Sequence, residues 1–453
     1  MRPAWELAAL PGPQAHLEAV SNDLADGFTC VWVLPDELVE RGAADDLVDL
    51  LSGWVDSVRV QAPQRRRVPP PEARRRDPVA NLPSWAQQSL GLLEHDDEPP
   101  FAVPAEVDRP VETVVDKLCE LFEISPEGDP LTRLVRHDQV AGKVLVLCGW
   151  DGWDVADLGT CVTRFTAVLK EHGVSPELRP RLLVVVKADD VPPSAQNGAD
   201  PLTTRVHWWW DVFGRLDTAT VAAAVRRQSR WRSSKGRARA LREQVATEVL
   251  VEVAGPDLLL ADHLARWWDG RVGTLLEQVE ALPYDTADDV LPVTVDGRAD
   301  GVRPPHALRA AWRRGVLDRW DGRVRVSPAA KVAAAERGSL ETLVWRGQSR
   351  VLTPIVDDCR ARLEKALRSK ASKAVVEEIE RGQDFTERRR TRDGTLELGS
   401  MAWAVGTGRV RLSQPDTSLL FQARNVRNAL AHLCPLTDEE VDGLAAVLPE
   451  SLW

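Results

Sequence analysis

Three short apolar runs constrain this chain most: Thr29–Leu34, Lys143–Cys148 and Arg181–Val186. Each is only long enough for a strand, is rich in β-branched or aromatic residues, and so reads as a strand buried on both faces. Ser57–Val60 reads as another strand, and Arg205–Trp210 as a further one that ends in Trp208-Trp209-Trp210. Helical patterns at His16–Leu24, Leu47–Val55, Val111–Phe122 and Val155–His172 lie between them. Strands joined through helices of this length pair in parallel, because a tight turn joins only antiparallel neighbours. The expected fold class of the N-terminal region is therefore α/β, a parallel sheet covered by helices.

A chain of 453 residues exceeds one ordinary core. Three segments are expected: an α/β domain over residues 1–217, a mostly helical middle over 218–340, and a helical bundle over 341–453. Residues 62–105 carry Pro69-Pro70-Pro71 and Pro99-Pro100 among charges and read as a linker or exposed insertion. In the middle segment, Thr218–Arg227 and Leu258–Leu282 are helix candidates. A helix at Pro305–Leu317 followed by extended Gly322–Val326 suggests a winged-helix unit. In the last segment Leu352, Ile355, Val356, Cys359, Leu363 and Leu367 repeat at helical spacing. Further helices are expected at Leu396–Val405 and Asp416–Leu433. Thr437-Asp438-Glu439-Glu440 opens a last one as a capping box.

Net charge is −11, so the whole molecule is not an obvious binder of polyanions. Basic residues cluster locally at Arg65–Arg67 with Arg74–Arg76, at Arg226–Arg242 around Trp231, and at Arg388, Arg389 and Arg390. For each, a solvated face competes with a nucleic-acid contact. No run of eighteen apolar residues is present, so no membrane span is expected. The six cysteines form no C-x-x-C pair, which points away from zinc and towards reduced thiols in a cytoplasm. No cofactor or metal is expected.

The order of elements in residues 15–217 resembles the core of AAA or STAND-type P-loop NTPases. In that resemblance Thr29–Leu34 delivers the phosphate loop, Val144–Cys148 the acid at Asp151 or Asp154, and Leu182–Val186 the sensor position before Asp189. A phosphate loop needs glycines, a lysine and a hydroxyl for magnesium. Pro35-Asp36-Glu37-Leu38-Val39-Glu40-Arg41-Gly42 has one glycine, no lysine, no hydroxyl and three carboxylates. The reading is a degenerate P-loop-like domain without NTPase activity.

Over Asp416–Leu433, Leu419, Ala423, Val426, Leu430 and Leu433 form one apolar seam. Arg424, Asn428 and His432 stack along an outward face, and Arg427 lies on the flank of the seam. The string Arg427-Asn428-Ala429-Leu430-Ala431-His432 resembles the Arg-x4-6-His signature of HEPN domains, and the resemblance covers residues 341–453. It implies a homodimer that cleaves RNA at a cleft between protomers, without a metal. In that resemblance His432 acts as general acid or base, Arg427 stabilises charge on the phosphate, and Asn428 orients the histidine or substrate. Arg427 and His432 lie roughly 140° apart on an ideal helix, so one straight helix does not join them. Arg424, Arg388, Arg389 and Arg390 are weaker RNA contacts.

The expected function is a HEPN-type endoribonuclease of a toxin or phage-defence system, regulated by the degenerate NTPase-like domain. The alternative is a non-catalytic HEPN-like module that assembles a defence or regulatory complex with a protein partner. In that alternative, a charge at Leu430 abolishes assembly.

Overall fold

The computed structural model describes residues 6–63, 113–125, 128–192, 195, 200–228, 237–282, 301–334, 338–382 and 395–450. Nearly all of the proline-rich segment 62–105, Trp231, and Arg388, Arg389 and Arg390 lie outside the described residues. The chain divides into two compact units, one of residues Ser21–Val33 with Ser52–Val206, the other of Met1–Val20, Leu34–Leu51 and His207–Trp453. These bounds differ from the three expected segments 1–217, 218–340 and 341–453.

The first unit is built on a five-stranded sheet of β1 (Thr29–Leu34), β2 (Ser57–Arg59), β3 (Val144–Cys148), β4 (Arg181–Lys187) and β5 (Thr204–Trp208). Its order is β2-β3-β4-β1-β5. β2 pairs with β3 and β3 with β4 in parallel, with Val146 opposite Leu183. Every residue of β1 and β3 is buried, as expected of strands covered on both faces. Helices α1 (Pro11–Ala25) and α2 (Ala43–Trp54) flank β1 in sequence, and α3 (Val114–Leu121) and α4 (Val155–His172) flank β3. Thr113 and Asp116 form a capping box that starts α3, while Gly173, in the left-handed region at φ 56°, ends α4.

The second unit is helical. Its longer helices are α5 (Arg215–Gln228), α6 (Arg237–Ala254), α7 (Leu258–Trp267), α8 (Val272–Glu280), α9 (Ser339–Lys370), α10 (Lys373–Gly382), α11 (Leu398–Gly406), α12 (Gln414–Ala431) and α13 (Asp438–Val447). One buried cluster runs from Leu10 and Val221 through Leu264, Leu352 and Leu419 to Leu448, so the middle and terminal helices share a core. The stripe of α9 is close to that expected: Leu352, Val356, Cys359, Leu363 and Leu367 are buried, while Ile355 is half-buried. Its packing on α6 depends on Gly347, where an added Cβ would stand 2.5 Å from the Cα of Val249. Only a residue without a side chain lets the two backbones approach so closely.

Two expected helices are shorter than the periodicity suggests. Leu258–Leu282 breaks between α7 and α8, where Asp269 accepts from the Arg271 N–H at 3.0 Å and from Thr274 Oγ1 at 2.5 Å. That side chain offers the backbone a turn in place of another helical turn, and Gly270 follows at φ 82°. Pro305–Leu317 holds helix only at Arg309–Arg313 after a single 3-10 turn. Gly315 then turns the chain at φ 70°, and β6 (Leu317–Trp320) pairs antiparallel with β7 (Arg323–Val326). Asp321 and Gly322 both have positive φ, the requirement of a two-residue type I′ hairpin.

Candidate functional site

Helix α12 carries the Arg-Asn-x-x-x-His string. Ser413 caps its start, the hydroxyl accepting from the Asp416 N–H at 3.3 Å, and Pro415 stands in the first turn. Leu419, Ala423, Val426 and Leu430 are buried along one face, as the spacing predicts. Leu433 is not part of that seam. It is 64% exposed, because the helix ends at Ala431 and Leu433 lies beyond it at φ 60°.

The ending is a Schellman motif. The Leu433 N–H reaches the Leu430 carbonyl at 3.2 Å, and the Cys434 N–H the Ala429 carbonyl at 3.0 Å. Glycine usually holds the left-handed position; leucine there costs roughly 1 kcal/mol. Two side chains of α9 fix the turn. Trp345 Nε1 donates to the Leu430 carbonyl at 2.8 Å. Gln348, fully buried, donates to the Leu436 carbonyl at 2.8 Å and accepts from the Leu436 N–H at 2.7 Å.

On that frame Arg427, Asn428 and His432 are all exposed, and none makes a side-chain hydrogen bond or ion pair among the described residues. His432 is the C-cap at φ −93° and ψ 12°, its N–H still reaching the Asn428 carbonyl at 3.0 Å. Asn428 and His432 do not bond to each other through their side chains. Arg424 is half-buried and lies over the Phe421 ring at 5.2 Å, with Nη2 3.4 Å from Asn425 Oδ1. It is partly occupied within its own helix.

The positions that a phosphate-binding loop needs are engaged otherwise. After β1 the chain enters a short helix, Asp36–Glu40. Asp36 Oδ2 accepts from Arg313 Nε at 3.1 Å and Nη2 at 2.6 Å, and Glu37 pairs with Arg41 at 2.6 Å. Burial pushes the Glu37 carboxyl up to about 7 although Arg41 opposes it. A Cβ on Gly315 would fall 1.6 Å from Glu37 Oε2, so that glycine makes room for the carboxylate. In the first unit, Asp151 pairs with Arg59 of β2 at 3.2 Å, and Asp154 caps α4 by accepting from Ala156 and Asp157. Asp189 lies in a 3-10 turn after β4. A cleft of about 420 Å³ in that unit is lined by Glu123, Ile124, Ser125, Thr132, Arg133, Arg136 and His137, none of them an expected site residue.

Among the described residues no group of three or more His, Cys, Asp or Glu is arranged to hold a metal, and no helix is long and apolar enough to cross a membrane. All six cysteines are free, and Cys434 alone is exposed. Trp208, Trp209 and Trp210 are buried, so they offer no stacking surface for bases. Sequence reasoning did not find Trp345 or Gln348. The signal for Gln348 was an amide inside an apolar stripe.

No protein-family model matches the chain, and no curated protein and no solved structure is significantly similar to it.

Proposed function

We propose that this protein is a metal-independent RNA endonuclease of the HEPN type, with Arg427, Asn428 and His432 as its site. The carrying observation is that these three polar side chains are exposed and unengaged among the described residues, at a helix end that α9 holds from two sides. A polar cluster kept unpaired on a fixed frame suits a group that works on something outside the protomer. Histidine can exchange a proton with a ribose hydroxyl near neutral pH, and arginine can hold a phosphate oxygen through two N–H groups. With one Arg and one His per chain, a two-fold pair of α12 helices supplies the second half of the cleft. The strand order β2-β3-β4-β1-β5 and the engaged residues after β1 support reading the sheet as P-loop-like and inactive towards nucleotides. Regulation by that sheet and a role in toxin or phage defence belong to the same proposal.

Leu433 favours a second reading, an assembly module. A leucine 64% exposed in a strained conformation beside the motif is suited to burial against another protein. Leu430 is the wrong residue for testing assembly, since it is 7% exposed within the core. Leu433→Asp alters the surface without touching that core. Under the nuclease reading, expressed wild type fragments RNA while His432→Ala and Arg427→Ala do not. Under the assembly reading RNA stays intact in all three, and Leu433→Asp alone lowers the oligomeric mass.

A further inference from the structure

Four arginines from three parts of the second unit converge on one buried carboxylate. Glu252 of α6 has a side chain 3% exposed. Its Oε2 meets Arg215 Nη1 of α5 at 2.8 Å, and its Oε1 meets Arg325 Nη1 of the β6–β7 hairpin at 3.0 Å. Arg346 and Arg350, one turn apart on α9, reach the same carboxylate at only 3.9 and 3.5 Å. Glu248 adds a second carboxylate, paired to Arg215, and Asp321 acts on Arg325 more weakly. The guanidinium charge therefore exceeds the carboxylate charge in this patch, on a chain whose net charge is −11.

The patch is graded from inside to outside. Arg215 and Arg325 are 21% and 14% exposed and lie against the Trp320 ring, at 5.7 and 5.0 Å. Arg346 and Arg350 are 37% and 51% exposed. A carboxylate has two oxygens and about four lone-pair sites. Arg215 and Arg325 already occupy Glu252 at hydrogen-bond distance, so the outer pair keeps N–H groups to spend on an anion. The same segment of α9 bears Trp345 and Gln348, which hold the end of the motif helix. At about 100° per residue Arg346 and Arg350 stand roughly 100–160° around α9 from Trp345 and Gln348, so patch and motif clasp occupy different sides of one helix that is about 10–12 Å across.

We infer that Arg346 and Arg350, backed by Arg325 and Arg215, form a contact for the phosphodiester backbone of single-stranded RNA, which passes around α9 to the motif end of α12. The inference rests on the RNA-directed reading of that motif and adds the face along which the strand enters.

The test is binding of a labelled single-stranded oligoribonucleotide, titrated from about 50 to 200 mM salt, with His432→Ala as the parent so that nothing is cleaved. Losing two phosphate contacts lowers the log–log salt slope by about 1.4. Arg346→Ala/Arg350→Ala in that parent shows this drop, and Arg346→Lys/Arg350→Lys, which keeps the charge, retains the parent slope. Both outer arginines are partly exposed, and an unchanged far-ultraviolet spectrum confirms the fold. Binding with an unchanged slope in the alanine variant overturns the patch while leaving the RNA reading intact. No RNA binding by any of the three proteins overturns both. Thermal stabilisation by tripolyphosphate that the alanine variant loses, with RNA affinity untouched, assigns a small-anion site and also overturns the inference.

Discussion

Gln348→Met tests how the motif end is held. The wild-type amide satisfies both backbone groups of Leu436, its Nε2 donating to the carbonyl at 2.8 Å and its Oε1 accepting the N–H at 2.7 Å. Methionine fills similar volume and offers neither bond. The N–H and carbonyl of Leu436 are then left buried without partners, since the residue is 1% exposed. Each orphaned group costs roughly 1–3 kcal/mol, so the pair costs roughly 2–6. Amide hydrogen exchange reads this locally, where a global melt would mix two units. The Leu436 amide should lose at least tenfold in protection, about 1.4 kcal/mol being a factor of ten, and the amides of Leu433 and Cys434 should follow it. Unchanged protection at Leu436 would refute the claim that this clasp holds the turn after His432.

Gly347→Ala places a methyl 2.5 Å from the Val249 Cα and must push α6 from α9, lowering stability by at least about 1–3 kcal/mol in chemical denaturation. Leu433→Gly relieves the positive φ and leaves stability unchanged or raised by up to about 1 kcal/mol, as a melting curve will show. Stability also falls with rising pH through Asp318, whose carboxyl burial pushes up to about 8 from its ordinary 3.8. The folded state binds this proton more tightly than the unfolded one, so the contribution is complete below about pH 4 and disappears as pH rises through 8. Glu37, pushed up to about 7, acts in the same direction. Asp318→Asn retains the Oδ1 that accepts from Asp211 and Arg319, and its denaturation midpoint should decline less between pH 5 and pH 9 than that of wild type.

The strands were legible because burial on both faces writes an uninterrupted apolar run, and β1, β3 and β4 lie within a residue of where those runs stand. Helix α4 and the Thr437–Glu440 capping box were equally plain, since periodicity and cap chemistry coincide there. β7 lies within the extended Gly322–Val326 read from the sequence, whereas β6 and the turn at Asp321-Gly322 were missed, because the apolar residues before that turn also fit a helix. The break at Asp269-Gly270 was missed for a similar reason: a turn held by one side chain leaves the apolar period on either side nearly intact. The exposure of Asn428 and His432 was readable from angles around α12, whereas the half-burial of Arg424 and the exposure of Arg427 and Leu433 were not. Helical spacing assumes that the helix continues, and it stops two residues earlier. The convergence of Arg215, Arg325, Arg346 and Arg350 on Glu252 joins positions far apart in sequence, and only tertiary packing reveals it.

The central claim is that Arg427 and His432 cut RNA without a metal. The direct measurement is cleavage of total cellular RNA by purified protein in the presence of a chelator, comparing wild type with His432→Ala and Arg427→Ala. The account predicts fragmentation by wild type, with a loss of at least about a hundredfold in each variant, the scale expected when an acid–base group is removed. RNA left intact by wild type, or cut equally by all three proteins, contradicts it.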